Sequence, residues 1–231
     1  MVATESRVIR LFKFRPVRVA FDLILREEMV PALLQLPGMT DLYVGRQGPE
    51  ELGPRVIATV WESRDAMSSA VGESFDQPIF LPKYLDETTE RVLEFLPLAF
   101  GYRFARPERP GVLRLVNGEV RTGGLGRYVD EARAGTLADA NEGRGPLALY
   151  LAPRAADGFL TLSVWSDWSS LEAATGGDVD RPIATRHAKL LDAWHAEHYE
   201  AIPGVAEPAR SIAMEAAPAR QSGLAFVEPG A

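Results

Sequence analysis

The sequence of 231 residues contains no cysteine, and this absence excludes several kinds of chemistry. Without thiols there can be no disulfide, no cysteine nucleophile, no iron–sulfur cluster and no cysteine-ligated zinc. Long hydrophobic runs are missing as well, because no stretch approaches the roughly 18 apolar residues of a membrane span. The first residues have no apolar run long enough for a signal peptide. These absences predict a cytoplasmic protein that does not contact a membrane.

Histidine and positive charge are scarce too. Three histidines, without cysteine and without an HExxH pattern, do not form a zinc motif, so we expect no metal site. The 32 acidic residues outnumber the 25 basic residues and give a net charge of -7, spread over both halves of the chain. Since binding to nucleic acid needs clustered Lys and Arg, the composition predicts no nucleic-acid partner.

The most informative feature that is present is an internal repeat. At a shift of 104 residues, identical residues coincide in one ungapped window, namely Val60-Trp61 with Val164-Trp165, Ala70 with Ala174, Gly72 with Gly176, Asp76 with Asp180, and Pro78-Ile79 with Pro182-Ile183. The same shift aligns Arg10-Leu11 with Arg114-Leu115, and a shift of 107 aligns Leu42-Tyr43 with Leu149-Tyr150. Periodicity matches apolar classes but does not match Trp, Gly, Asp and Pro at fixed spacing. We therefore predict one unit written twice in tandem.

Each copy is predicted to be an α+β unit with the order strand, helix, strand, strand, helix, strand, which is the ferredoxin-like arrangement. The predicted strands span 8–14, 42–45, 55–61 and 92–96 in the first copy, and 112–116, 147–151, 159–165 and 198–202 in the second. The first helix, over 18–36, contains Pro31 and is expected to kink or to split in two. The predicted boundaries are repeats over 1–98 and 111–203, a linker over 99–110 and a tail over 204–231.

The third strand of each copy has two different faces. One is purely aliphatic, with Val56, Ala58 and Val60 in the first copy, and such a face is expected beneath helices. The opposite face is mixed and carries Trp61, or Trp165 in the second copy. We expect this mixed face to be bare of helices and to pack against the same face of the other copy, as a closed or nearly closed barrel.

With these features the sequence resembles the dimeric α+β barrel superfamily, which includes the antibiotic-biosynthesis monooxygenase-like and EthD-like families. The resemblance rests on the segments Leu33-Leu34-Gln35-Leu36-Pro37-Gly38, Val60-Trp61-Glu62-Ser63 and Val164-Trp165-Ser166-Asp167, and it covers nearly all of residues 7–203. It implies two ferredoxin-like repeats packed sheet to sheet as a pseudo-dimer within one chain, which could itself form a homodimer. It is weakly specific for function, because the superfamily hosts several unrelated activities.

One activity that the resemblance implies is the cofactor-independent, monooxygenase-like oxidation of a phenolic or quinone-type substrate. Such relatives look as if they use an Asn, a Trp and a nearby Tyr or His, and the counterparts in the second copy are Asn117 and Trp165. The pattern departs from the family after Trp165, where Leu171 and Thr175 stand in place of Tyr or His. The simpler interpretation is that Trp61 and Trp165 are core or rim aromatics at a strand end.

A second activity in the superfamily is haem binding, which needs an imidazole ligand. The spacing predicts a helix on which Ile183, His187, Leu190, Leu191 and Trp194 share one face. Apolar surroundings would favour the neutral imidazole that ligates metals, so His187 is the predicted haem ligand. The alternative is a half-buried histidine whose hydrogen bonds are satisfied within the protein. Apart from this haem alternative, no cofactor is expected.

The second copy is the better place for a binding site, because it holds all the histidines, Asn117, Trp168 and Trp194. Fusion permits such a division, since only a true homodimer must keep both sites alike. Arg114, which aligns with Arg10, either binds an acidic group at a pocket mouth or is solvated at a sheet edge.

We therefore predict binding of a small, largely apolar or aromatic molecule in the barrel cavity. The predicted ligand-binding residues are Trp61, Arg114, Trp168, His187 and Trp194. A non-catalytic ligand-binding or structural protein is the third possibility. Asp76 and Asp180, which the repeat also aligns, are interpreted as turn residues rather than as catalytic carboxylates.

Overall fold

A computed structural model describes residues 7–72, 82–104, 108–182, 189–202 and 226–227. The chain divides into two compact units, of which the first comprises Met1–Pro97 with Tyr199–Ile212, and the second Leu98–His198 with Ala213–Ala231. Both units are α+β, with antiparallel strands and few helices. No helix in the described ranges is long and apolar enough to cross a membrane.

The first unit has the predicted order of elements. Its strands are β1 (Val8–Pro16), β2 (Met39–Arg46), β3 (Arg55–Trp61) and β4 (Thr88–Pro97), and its helices are α1 (Phe21–Ile24), α2 (Val30–Leu33), α3 (Arg64–Val71) and α4 (Pro82–Leu85). The strands pair in the order β4-β1-β3-β2. This is the ferredoxin-like strand order, and it leaves the helices to cover one face of the sheet.

Pro31 interrupts the first helical segment, as the sequence predicts. A π-helical turn over Leu25–Met29 joins α1 to α2, and Pro31 lies in the first turn of α2. Proline has no N–H to donate to the carbonyl four residues earlier, so a regular α-helix cannot run through this position. The segment ends before Gly38, where φ is +77° and an added Cβ would lie 2.6 Å from the Cβ of Ala66.

The second unit repeats this order and adds two strands. Its elements are β5 (Phe100–Phe104), β6 (Val112–Val120), α5 (Leu125–Asn141), β7 (Ala148–Pro153), β8 (Gly158–Trp165), α6 (Trp168–Thr175), β9 (Leu191–Ala201) and β10 (Phe226–Val227). The strand order is β10-β5-β7-β8-β6-β9. The end of β9 belongs to the first unit, where Ala201 pairs with Gly45.

Two assignments made from the sequence are wrong. Residues 100–104, which the prediction assigns to the linker, form β5. Their backbone groups pair with β7, from Phe100 opposite Leu151 to Arg103 opposite Ala148. Residues 191–194, placed on a helix, begin the long strand β9. Side chains alternate along a strand, so the buried Leu191 and the exposed Trp194 lie on opposite faces rather than on one helical face.

The repeat predicted from the sequence aligns positions that are equivalent in the two units. Val8 pairs with Trp61 between β1 and β3, and Val112 pairs with Trp165 between β6 and β8. The helices that follow begin alike, because the Ser63 side chain accepts a hydrogen bond from the Ala66 N–H at the start of α3 and Asp167 accepts one from Ser170 in α6. The shift of 104 residues thus matches strand register as well as residue identity.

The faces of the third strands are the reverse of the prediction. Trp61 packs in one cluster with Met67 of α3 and with Phe21 and Leu25 of the first helical segment. The mixed face therefore lies under the helices, and the aliphatic face is the other one. The prediction failed because the polar groups of the mixed face satisfy one another, so that this face can be buried. In the first unit the Trp61 indole Nε1 donates to Thr59 Oγ1 at 2.9 Å.

Candidate functional site

A cavity of about 80 Å³ lies in the second unit between α5 and the face of the sheet that the helices cover. Its lining is mostly apolar, with a few polar groups from α5 and from the strands. The lining residues are Arg114, Val116, Tyr128, Ala132, Gly135, Thr136, Asp139, Pro146, Leu149, Leu151, Thr161, Pro182 and Leu191. An apolar pocket with a small number of polar groups is the usual form of a small-molecule site.

The sequence of α5 explains why space remains beneath it. The residues of α5 that line the cavity recur at helical spacing, and three of them are small: Ala132, Gly135 and Thr136. Below them, β6 and β8 contribute Val116 and Thr161, which are also modest in size. Small side chains on both layers leave a void, because the backbones are held apart by the larger residues around them.

Among the described residues of the cavity lining, Arg114 on β6 is the one cationic residue, and 1% of its surface is exposed. Its Nε donates to the Val179 carbonyl at 3.0 Å, and its Nη2 donates to the Arg181 carbonyl. Burial lowers the pKa of Arg114 from 12.5 to about 10, and nearby Asp180 is the strongest influence in the opposite direction. The guanidinium is therefore still a cation at neutral pH.

Tyr128 on α5 is the second ionisable group of the lining. Burial raises the pKa of the Tyr128 phenol above its ordinary value of 10, and Arg114 and a hydrogen bond with the Thr161 side chain oppose that shift. The phenol therefore stays protonated at neutral pH. Its ring packs against Phe159 with the ring centroids 4.5 Å apart. The cavity thus combines a cation, a neutral phenol, the Asp139 carboxylate and apolar walls.

The two tryptophans at the strand ends are core residues. Trp165 is 1% exposed, packs against Val112 and Leu171, and donates from Nε1 to Ser163 Oγ at 3.0 Å. Trp61 makes the equivalent bond to Thr59 in the first unit. Neither indole lines the cavity. Their burial supports the simpler interpretation, in which these tryptophans hold the unit together.

Asn117 does not lie beside Trp165. Pairing places Asn117 opposite Leu160 and Trp165 opposite Val112, five positions apart along β6. Alternation of side chains puts Asn117 on the face opposite to Val112, Arg114 and Val116. Its amide instead accepts a hydrogen bond from Arg154 at 2.7 Å and donates to Glu197 at 3.3 Å. The catalytic pair inferred from the resemblance is therefore not assembled by this fold.

Two of the remaining predicted residues are exposed on the surface, and the third lies outside the residues that the structure describes. Trp168 is 38% exposed, and its ring lies 5.7 Å from that of His198. Trp194 is 42% exposed and donates from Nε1 to the Asp180 carbonyl at 3.0 Å. Neither residue lines the cavity. His187, the predicted haem ligand, lies outside the described residues, as does Asp76.

The solvated alternative for Arg114 is wrong, and Arg10 is buried as well, at 3% exposed. Among the residues that the structure describes, no group of three or more His, Asp or Glu side chains could hold a metal ion. The donor set of the cavity consists of a guanidinium, a phenol, hydroxyls and the Asp139 carboxylate. Such a set suits hydrogen bonding to an organic ligand better than metal coordination.

Sequence reasoning missed most of the lining, and in particular Tyr128 and Thr161. A signal was present in α5, where Tyr128, Ala132, Gly135, Thr136 and Asp139 fall on one face at helical spacing. A helix that turns small and hydroxyl-bearing residues toward a sheet leaves room beneath it. The repeat pointed to Arg114, and the structure explains its position by placing it under α5.

Comparison with known proteins gives structural matches only, since no family model matches the chain and no curated protein matches it. A candidate monooxygenase from Lactobacillus acidophilus superposes with a TM-score of 0.63 at 11% identity, over 86% of this chain and 94% of that one. An anthrone oxidase-like protein gives 0.54 at 16% identity, over 87% and 94%.

A third solved structure is a ferredoxin-fold protein from Listeria monocytogenes described as related to antibiotic biosynthesis monooxygenases. Its TM-score is 0.50 at 10% identity, over 86% of this chain and 96% of that one. At identities this low, the superpositions show a shared fold and do not show a shared activity. The α+β, ferredoxin-like architecture predicted from the sequence is thereby confirmed, and activity has to be argued from the cavity.

Proposed function

We propose that the second unit binds a small, largely apolar or aromatic molecule in the cavity beneath α5. The observation that carries the proposal is the lining itself, in which apolar side chains surround Arg114, Tyr128 and Thr161. Apolar walls stabilise a hydrocarbon ring by removing it from water, and the few polar groups fix its orientation. The cavity of about 80 Å³ is about half the size of an apolar cavity of roughly 150 Å³ that binds benzene, so a ring would enter it in part or after small movements of the lining side chains.

The test compares ligand binding in the parent protein and in Val116→Phe, with p-cresol as the probe and saturation-transfer NMR as the measurement. Val116 lines the cavity, and the equivalent residue of the first unit is Phe12, so the variant imports a side chain that the fold already accepts there. We expect saturable binding in the parent and its loss in the variant. Ser163→Thr is the matched control, because it imports Thr59 at a position outside the cavity.

Saturable binding that Val116→Phe leaves unchanged would place the ligand elsewhere, and the absence of saturable binding in the parent would reject the cavity as a site.

Oxidation of a phenolic substrate without a cofactor is the catalytic extension of the proposal. Two structural neighbours are described as a candidate monooxygenase and an anthrone oxidase-like protein. In this chain Arg114 and Tyr128 are the polar groups that such a substrate would meet. Oxygen uptake with a hydroquinone, lost in Val116→Phe, is the expected result.

Haem binding is the alternative, and it depends on His187. The cavity of about 80 Å³ is small for a macrocycle, and its described lining contains no histidine, while His187 lies outside the described residues. A haemin titration of the parent and of His187→Ala, followed by visible absorbance, decides the matter. A shifted Soret band that the variant loses would favour haem over the small aromatic ligand.

The equivalences between the units support a further part of the proposal, that both derive from one duplicated unit. Strand register, the tryptophan–hydroxyl hydrogen bond and the helix cap recur at the same shift. A duplicated chain can keep one copy as scaffold while the other develops a site. Sedimentation of the intact chain would measure whether this pseudo-dimer also forms a homodimer.

A further inference from the structure

One nitrogen of the Arg114 guanidinium has no hydrogen-bond partner among the residues that the structure describes. Its Nε and Nη2 are bonded to the carbonyls of Val179 and Arg181. Within the described residues its Nη1 donates no hydrogen bond, although a guanidinium carries five N–H donors. Since Arg114 lines the cavity and its other two nitrogens face the 179–181 segment, Nη1 is the donor available to a molecule in the cavity.

The charge of Arg114 is compensated only in part. Asp180 and Asp178 raise its pKa from a distance, yet no carboxylate of the described chain lies within ion-pair range of its guanidinium. Asp139, the acidic residue of the lining, pairs instead with Arg144 at 3.8 Å. Burying a cation without a counter-ion is costly, and an anion bound in the same cavity would offset that cost.

We propose that the ligand of this cavity is a small aromatic carboxylate, whose carboxylate accepts from Arg114 Nη1 while its ring lies among Val116, Leu149 and the other apolar residues of the lining. This inference rests on the proposed function and specifies its ligand. The protonated Tyr128 and the hydroxyls of Thr136 and Thr161 add no negative charge to the cavity, and Arg144 partly compensates the charge of the Asp139 carboxylate. A charge-assisted hydrogen bond in a site shielded from water is stronger than one between neutral groups.

The competing explanation is that Arg114 only holds the 179–181 segment in place through its two carbonyl contacts. That role would affect every ligand of the cavity equally, since it would act through the shape of the site. A role in binding charge would instead separate an anion from a neutral molecule of the same shape. The discriminating measurement is therefore the difference between two matched ligands.

The experiment uses benzoate and benzyl alcohol, titrated into the full-length protein by isothermal calorimetry at pH 7. In the parent we expect benzoate to bind about ten- to a hundredfold more tightly than benzyl alcohol, the ratio for one charge-assisted hydrogen bond. Arg114→Gln should remove that preference, because it should weaken benzoate binding about ten- to a hundredfold more than benzyl alcohol binding. Arg10→Gln, at the equivalent position in the first unit, is the matched control and should retain the preference.

Each outcome decides the proposal. A benzoate preference that survives Arg114→Gln overturns it, as does an equal loss of both ligands in a variant that keeps its far-ultraviolet circular dichroism. Binding of benzyl alcohol without preference for benzoate also overturns it, while the proposed function stands. Binding of neither ligand rejects both. If Arg114→Gln does not fold, the parent still decides through its preference, and Arg114→Lys should retain most of it because the positive charge is kept.

Discussion

The two units share their strand register and differ in the layer between helices and sheet. In the first unit that layer is filled by large side chains from the helical segment, among them Phe21, Leu25, Met29 and Leu33. In the second unit α5 presents Tyr128, Ala132, Gly135 and Thr136. The same backbone plan therefore carries large apolar side chains in this layer of one unit and smaller side chains around a cavity in the other.

The strands show the same contrast at equivalent positions. Phe12 and Phe14 of β1 stack with centroids 4.9 Å apart, and they correspond to Val116 and Gly118 of β6. Ile57 of β3 corresponds to Thr161 of β8. In each case the second unit carries the smaller or more polar residue. Smaller or more polar residues at equivalent core positions can thus leave space for a ligand within the same fold.

The first prediction tests what the units have in common. Trp61→Ala and Trp165→Ala should each lower the free energy of unfolding by about 3–5 kcal/mol, because each removes a fully buried indole and leaves a void. The measurement is urea denaturation followed by circular dichroism. A much smaller loss for Trp165→Ala than for Trp61→Ala would show that the second indole is not a core residue and would revive a role for it in chemistry.

The second prediction exchanges residues between the units. Phe12→Val should cost about 2–4 kcal/mol, because it opens a cavity in a filled layer and removes the stacking on Phe14. Val116→Phe should stay within about 1 kcal/mol of the parent, since its ring enters space that already exists. Both are measured by urea denaturation. Equal and large losses would mean that the space beneath α5 does not accommodate the added ring of Val116→Phe.

Much of the fold followed from patterns of local origin. The repeat of Trp, Gly and Pro located equivalent strands, and apolar periodicity gave the order of elements. The faces of β3 and β8 could not be predicted from composition, because the hydrogen bonds of Trp61 and Trp165 to neighbouring hydroxyls exist only in three dimensions. In strand β9, Leu191 and Trp194 also fit a helical spacing, and strand pairing along the sheet overrides that local pattern.

The site was harder to predict than the fold, because a cavity is defined by missing atoms. Arg114 could be singled out through its counterpart Arg10, but burial and hydrogen bonding to Val179 depend on residues about 65 positions away in the sequence. Tyr128 and Ala132 look like ordinary core residues of an amphipathic helix. The role of Asn117 rests on the resemblance alone, and strand alternation sets its side chain on the face opposite to Arg114 and Val116.

The smallest expected effect concerns pH and is confined to the second unit, which holds all three histidines. Burial lowers the pKa of His198 below its ordinary 6.5, and Arg114 adds to this, while the Val179 carbonyl and Asp180 oppose it. The unfolded chain therefore takes up a proton first, and stability falls as the pH drops below about 6.5 toward the lower native pKa. Since His198 is half-buried, the effect is modest. The melting temperature of the parent should fall more between pH 7.5 and 5.5 than that of His198→Gln. Equal falls in melting temperature would show that protonation of His198 does not contribute to the acid sensitivity of the second unit.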